Sequence, residues 1–219
     1  MKQPSKINMG VNMNKNEDRL GDVHSYGLDL RNREVFLHNK EADENPGVDY
    51  RMAISFLKNM RILETQNNQP ITIHMQSIGG EWYSGMGIYD TIKSCKSPTT
   101  IIAYNQAESM SSIILQAADK RILMPNCLFM CHYGSTDLSG DYLSSHNFAA
   151  IDKINMQNMV DIYAERCHKK GKYFKERGDS LSKVKTYIKR KMKDGDWYLS
   201  PEDAVRYGFA DTIFSKNTI

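Results

Sequence analysis

Pro70-Ile71-Thr72-Ile73-His74-Met75-Gln76-Ser77-Ile78-Gly79-Gly80 opens the stretch that decides the fold, and Tyr104-Asn105-Gln106-Ala107-Glu108-Ser109-Met110-Ser111-Ser112 closes it. The first run, from Pro70 to Met75, reads as a strand closed by a Gly-Gly turn. A helix of roughly 82–95 follows, with Met86, Tyr89 and Ile92 on one side. Pro98 ends it, Thr99 to Tyr104 is rich in β-branched residues, and a second helix of about 109–118 starts at once. Strand, helix, strand, helix in that rhythm predicts an α/β protein with parallel strands and right-handed crossovers.

Working outward, Arg121 to Met124 and Leu128 to His132 read as short strands separated by Pro125-Asn126. The stretch 144–167 is a long helix with Phe148, Ile151, Met159, Ile162 and Tyr163 on a common face, 180–192 is another helix, and 201–214 holds a last helix and strand. Upstream, Glu34 to Leu37 fits a strand, Asn45-Pro46-Gly47 a turn, and Val48 to Gln66 a helix that buries Met52, Ala53, Phe56, Leu57, Met60 and Leu63. Residues 1–30 are polar and poorly periodic and read as a mobile N-terminal arm, leaving 31–219 as one domain.

A chain of 219 residues, 40% hydrophobic and 25% charged, has the composition of an ordinary globular domain. No stretch approaches the roughly 18 uncharged apolar residues of a membrane span. The first twenty residues carry charges and Asn instead of an apolar leader, so the sequence predicts a cytoplasmic protein. Four cysteines (Cys95, Cys127, Cys131, Cys167) make no disulfide framework. Cys127, Cys131 and His132 lack a fourth ligand at zinc spacing, and no cofactor is expected. The net charge of +3 conceals an asymmetry: 168–193 holds eleven Lys or Arg against Glu176 and Asp179, a local +9 over a remainder of −6. That stretch reads as the solvated face of a helix and its loop; no aromatic platform or nucleic-acid motif accompanies it.

The chemistry concentrates at strand ends. Ser109 joins a strand to a helix, where unpartnered N–H groups and the helix dipole favour an oxyanion. Ser109 is thus a candidate nucleophile with the N–H of Met110 as oxyanion donor, although an N-cap is the commoner use of a serine before an apolar helix. Gly79-Gly80 ends the preceding parallel strand, so the N–H of Gly80 lies at the same carboxyl edge as a second donor. His132 directly follows an apolar strand and has the residue type of a general base. Asp194 or Asp196 supplies the acid that orients such an imidazole, and spacing does not choose between them.

From Ile71 to Asp211 these pieces resemble the proteolytic subunits of Clp proteases (ClpP). Ser77-Ile78-Gly79-Gly80 is similar to the family's Ser-Pro-Gly-Gly turn, and Gly85-Met86-Gly87-Ile88-Tyr89-Asp90-Thr91-Ile92 to its following helix. Gln106-Ala107-Glu108-Ser109-Met110-Ser111 resembles its nucleophile segment, and Met124-Pro125-Asn126 with Met130-Cys131-His132 the strand ending in its histidine. Asp196-Trp197-Tyr198-Leu199-Ser200 and Ala204-Val205-Arg206-Tyr207-Gly208-Phe209-Ala210-Asp211 resemble its closing block. The resemblance implies Ser109 as nucleophile, His132 as base and Asp196 as orienting acid, with Gly80 and Met110 N–H as oxyanion donors. It implies a ClpP/crotonase-type ββα spiral with parallel sheet layers and a protruding long helix (144–167) used in oligomerisation. It also implies stacked seven-membered rings, as a homo-oligomer or with a paralogue, and an AAA+ unfoldase that feeds unfolded polypeptide.

The chain has no G-x-x-x-x-G-K-[ST] phosphate loop, so ATP-driven work would belong to that partner. The pattern departs in five places, one of them Tyr133-Gly134, which follows His132 where the family commonly has Gln-Pro. Ile78 replaces Pro, Asn105 stands where the family has Gly, Glu108 stands beside the nucleophile, and 168–193 is a longer, more basic insertion. Glu108 pointing inward would oppose an oxyanion. Two other readings follow: a catalytically weak ring subunit beside an active paralogue, and a crotonase-like enzyme acting on acyl-CoA.

Overall fold

The computed structural model describes residues 15–37, 47–135 and 141–216. In chain order its elements are α1 (Lys15–Tyr26), β1 (Leu28–Asp29), β2 (Glu34–Leu37), α2 (Tyr50–Gln66), β3 (Ile71–Ser77), α3 (Trp82–Ser94), β4 (Thr99–Glu108) and α4 (Met110–Leu115). There follow β5 (Lys120–Leu123), β6 (Leu128–Cys131), α5 (Tyr142–Lys170), α6 (Lys172–Glu176), α7 (Leu181–Lys193), β7 (Trp197–Leu199), α8 (Pro201–Tyr207) and β8 (Thr212–Ile213). The sheet runs β1-β2-β3-β4-β5-β8, with β6 joined to β4 and β7. All pairings are parallel except β1 with β2 and β6 with β7, giving a mainly parallel α/β sheet.

β4 organises the sheet because it serves two neighbours along one edge. Its first half, Thr100 to Ala103, pairs with β5, and its second half, Gln106 to Glu108, pairs with β6. The strand changes neighbour around Asn105, whose φ of 52° lies in the left-handed region. Asn adopts that region more readily than most side chains, which is why it stands in for Gly here. Alternate residues of β3 (Ile71, Ile73, Met75) and the centre of β4 (Ile101, Ala103) are fully buried. They pack with Met52, Phe56, Met60 and Leu63 of α2 and Ile88 and Ile92 of α3 in one core. Burying a Leu, Ile or Met of this kind is worth about 1.5–3 kcal/mol each, so this layer holds the carboxyl ends of β3, β4 and β6 in fixed relation.

Two expectations change. The polar N-terminal stretch is not structureless throughout, since α1 and β1 fall inside residues 15–29 and β1 pairs with β2. Residues 1–14 and the Asn45-Pro46 part of the expected turn lie outside the described residues. The second half of β4 and all of β7 are strands that a β-branched pattern does not announce. The basic stretch, read as the solvated face of a helix with its loop, does carry helices: the end of α5, then α6 and α7. Val184, Ile188 and Met192 of α7 are buried, and Lys185 pairs with Asp161 of α5 at 2.8 Å. Its lysines therefore decorate a packed helix. Among the described residues no helix is long and apolar enough to cross a membrane.

Candidate active site

Ser109 sits at the junction of β4 and α4 with φ 51° and ψ −124°, a conformation that costs a non-glycine residue roughly 1–3 kcal/mol. Several contacts hold it there. The Ser109 N–H donates to the Met130 carbonyl of β6 at 2.9 Å. Its own carbonyl accepts from the Ser112 N–H at 3.0 Å and from Ser112 Oγ at 2.6 Å. Ser112 Oγ also lies 2.6 Å from the hydroxyl of Tyr163 in α5. A serine hydroxyl has a single proton, and Ser112 spends its proton on Ser109, so Tyr163 is the donor in that second bond. The other end of α4 is tied as well. Arg166 Nε donates to the Gln116 carbonyl at 2.8 Å, and its Nη2 to the Ala118 carbonyl at 3.1 Å, satisfying carbonyls that a helix end leaves open.

His132 follows β6, whose neighbour β4 carries Ser109, and this adjacency brings base and hydroxyl together. His132 Nε2 is 2.8 Å from Ser109 Oγ, and His132 Nδ1 is 3.0 Å from Asp196 Oδ1. A carboxylate only accepts, so in the neutral imidazole the Nδ1 proton points to Asp196 and Nε2 accepts from the Ser109 hydroxyl. Asp196 arrives through the antiparallel pairing of β7 with β6, in which Trp197 lies opposite Cys131. Asp194, the alternative acid, ends α7 in a helical conformation, and Gly195 at φ 124° turns the chain so that Asp196 faces the ring.

The Gly-Gly turn lies against this junction. A Cβ on Gly79 would come within 2.5 Å of Ser109 Cβ, and one on Gly80 within 2.5 Å of the Val48 backbone N. Both have positive φ, 99° and 145°, so side chains are excluded by contact and by conformation. The Gly79 carbonyl accepts from the Val48 N–H, and the Val48 carbonyl accepts from the Glu81 N–H at 2.8 Å, which pins the turn on both sides of Gly80. The N–H groups of Gly80 and Met110 have no backbone acceptor among the described residues, and Met110 is the first residue of α4. Gly80, Ser109, Met110 and His132 line one cleft of about 580 Å³.

Glu108 bonds within its own strand. Its Oε1 accepts from Gln106 Nε2 at 3.2 Å, and it faces Cys127, whose thiol is pushed up to about 12 by burial and, less, by that carboxylate. Burial also raises the Cys131 thiol. Cys127, Cys131 and His132, weighed as ligands, do not form a metal-binding group among the described residues. The sequence reading missed Tyr163 and Ser112 as supports of Ser109, and Arg166 as the anchor of α4.

The model of the Clp protease family matches residues 22–217. The chain belongs to the Clp protease family. Members are serine peptidases, and the mainly parallel α/β sheet agrees with that assignment. The ATP-dependent Clp protease proteolytic subunit of Deinococcus radiodurans is 32% identical over 173 residues, 77% of each chain. The subunit of the same name from Carsonella ruddii is 26% identical over 211 residues, covering 95% of this chain and 96% of that one.

Proposed function

We propose that this Clp-family chain hydrolyses peptide bonds through an acyl-enzyme, with Ser109 as nucleophile, His132 as general base and Asp196 as its orienting acid. The hydrogen-bonded line from Asp196 through His132 to Ser109 carries the reading, with contacts of 3.0 and 2.8 Å. Ser109 Oγ bonds to the substrate carbonyl carbon while its proton passes to His132 Nε2. The carbonyl oxygen, now negative, takes the Gly80 and Met110 N–H groups as donors, a contribution worth roughly 3–4 kcal/mol per donor in comparable sites. Asp196 stabilises the imidazolium. That proton goes to the leaving amine as the C–N bond breaks. Water then gives a proton to His132 and its oxygen to the acyl carbon, and the proton returns to Ser109 Oγ as the acid product leaves.

We further propose that the substrate is unfolded polypeptide, cut inside stacked seven-membered rings and delivered by a separate AAA+ unfoldase. The outer part of α5 supports assembly: Tyr142, Leu143 and Ile154 are 81%, 70% and 61% exposed, more apolar surface than a lone helix keeps in water. The names of the two relatives, both ATP-dependent, support a partner that supplies the ATPase, since this chain lacks a phosphate loop. Four free cysteines, three of them buried, fit the reducing cytoplasm. A fluorophosphonate probe tests the chemistry. The assembled wild-type chain should gain one adduct at Ser109, and Ser109→Ala should gain none. A wild-type chain that stays unlabelled and cleaves no peptide would leave the inert ring subunit standing.

A further inference from the structure

Residues 168–193 hold eleven Lys or Arg against Glu176 and Asp179, and the fold gathers part of that charge over one group of rings. Tyr173 of α6 lies 5.5 Å from Tyr187 of α7 and 4.9 Å from Tyr207 of α8 between ring centroids. The Tyr187 and Tyr207 hydroxyls are 3.2 Å apart. Cations cover these rings. Arg177 and Arg206 each lie 5.1 Å from the Tyr173 centroid, Arg206 also 5.8 Å from Tyr207, and Arg190 5.3 Å from Tyr187. Lys191 Nζ stands 6.0 Å from the Tyr187 ring and 5.9 Å from that of Trp197. Their pairing with acids differs. Arg177 Nε meets Asp179 at 2.7 Å, whereas Arg206 reaches Asp203 only at 3.8 Å. Lys183, Arg190 and Lys191 have no carboxylate within ion-pair distance among the described residues, and Asp194, one turn past Arg190, is no exception. On the other flank of α7 the charge is used inside the fold. Lys185 pairs with Asp161 at 2.8 Å and Lys189 Nζ donates to Gln157 Oε1 at 2.7 Å, both on α5.

We infer that the shelf formed by Lys183, Arg190 and Arg206 docks an acidic segment of a partner polypeptide, bound in extended form. Lys183 and Arg190 are two turns apart on α7, about 10 Å along its axis. An extended chain advances about 3.3 Å per residue, so carboxylates three residues apart meet both. A guanidinium laid on a ring keeps its N–H edges open, and stacking has already ordered the side chain, so gripping a carboxylate costs less entropy. Arg190 and Arg206 are exposed and offer such edges. Nucleic acid fits the shelf less well, because the tyrosine rings on which bases would stack already carry cations. Packing does not call for the charge. The helix α7 is anchored by Val184, Ile188 and Met192, while Lys189, Arg190, Lys191 and Lys193 crowd its last turns and repel one another. An acidic occupant relieves that repulsion.

The test measures fluorescence anisotropy of two labelled decapeptides, one of alternating Asp and Glu and one of alternating Asn and Gln, on the assembled full-length chain. Ser109→Ala protein serves as the parent, so that neither probe is cut. The acidic peptide should bind, the amide peptide should not, and binding should weaken as salt rises. Arg190→Glu and Arg206→Glu should each weaken it roughly tenfold. Lys189→Glu, the same charge change on the α5 flank of the same helix, should weaken it clearly less. Equal losses in Arg190→Glu and Lys189→Glu would reduce the effect to net charge and overturn the inference. Tighter binding, at the same salt, of an oligothymidylate of equal charge or of vesicles rich in phosphatidylserine would overturn it as well. A melting curve checks that the variants fold. Should they not, the preference of the parent protein for the Asp-Glu peptide over the oligothymidylate and the vesicles decides alone.

Discussion

Arg121–Asp211 and His132–Asp196 are both contacts of about 3 Å between side chains distant in the chain, yet their surroundings are opposite. The Arg121 side chain is fully buried and Asp211 is 20% exposed, whereas His132 and Asp196 are 25% and 48% exposed. Arg121 meets Asp211 through Nε and Nη2 at 3.0 and 2.8 Å, and its Nη1 donates to Gln116 Oε1 and to the Gly208 and Phe209 carbonyls. Gln116 Nε2 in turn donates to the Ser112 and Phe209 carbonyls. This network locks α4, β5 and the end of α8 together behind Ser109. The His132–Asp196 pair joins β6 to the start of β7 at the more exposed site, where the proposed mechanism has a proton come and go. A saturated buried pair holds the frame, and the accessible one is the pair to which we assign chemistry.

The largest effect should come from the accessible site. Ser109→Ala should lower peptide hydrolysis on the order of 10⁴-fold or more, with little change in thermal stability, measured with a fluorogenic peptide and a melting curve. Asp196→Asn keeps the shape but replaces an acceptor-only carboxylate with an amide that also donates, so the tautomer is no longer fixed and the charge is lost; it should cost about 10²–10⁴-fold in kcat. A stability loss in either variant as large as that of Asp211→Ala would erase the difference between the two pairs.

At the buried site the order reverses. Asp211→Ala strands the Arg121 guanidinium and should cost about 3–5 kcal/mol in urea unfolding, while labelling of Ser109 per folded molecule changes little. Burial would raise the Asp211 carboxyl, but the Arg121 hydrogen bonds and charge outweigh it and hold the value below the ordinary 3.8. A depressed carboxylate stabilises the fold fully above that ordinary value and loses the contribution as pH falls through the lowered one. Asp211→Asn should therefore flatten the loss of stability below about pH 4. The smallest effect belongs to Tyr163→Phe. Ser112 keeps its bond to the Ser109 carbonyl but loses a donor, so stability should drop by about 1 kcal/mol and kcat by less than tenfold.

The same contrast explains what was legible in the sequence. Ser109, Gly80 and His132 stand at ends of apolar runs, so a parallel sheet places them on one edge before any coordinates exist. Spacing leaves Asp194 and Asp196 open and the family resemblance chooses Asp196; the pairing of β7 with β6 and the turn at Gly195 are what set that residue beside His132. Tyr163 lies on the apolar face of α5 and reads as core, because a hydroxyl aimed at Ser112 looks the same in sequence as a packed ring. β4 runs past Tyr104 to Glu108 because β6 pairs with it, although Asn105 and Gln106 are poor strand residues. The helix α1 was missed because Leu20 and Val23 give its face too little apolar rhythm.

The most direct test of the central claim is intact-mass analysis, with peptide mapping, of the assembled chain after fluorophosphonate treatment. One adduct at Ser109, absent from Ser109→Ala and strongly slowed in His132→Ala, is the expected result. Peptide cleavage that survives Ser109→Ala, or an adduct carried elsewhere with Ser109 unmodified, would contradict it.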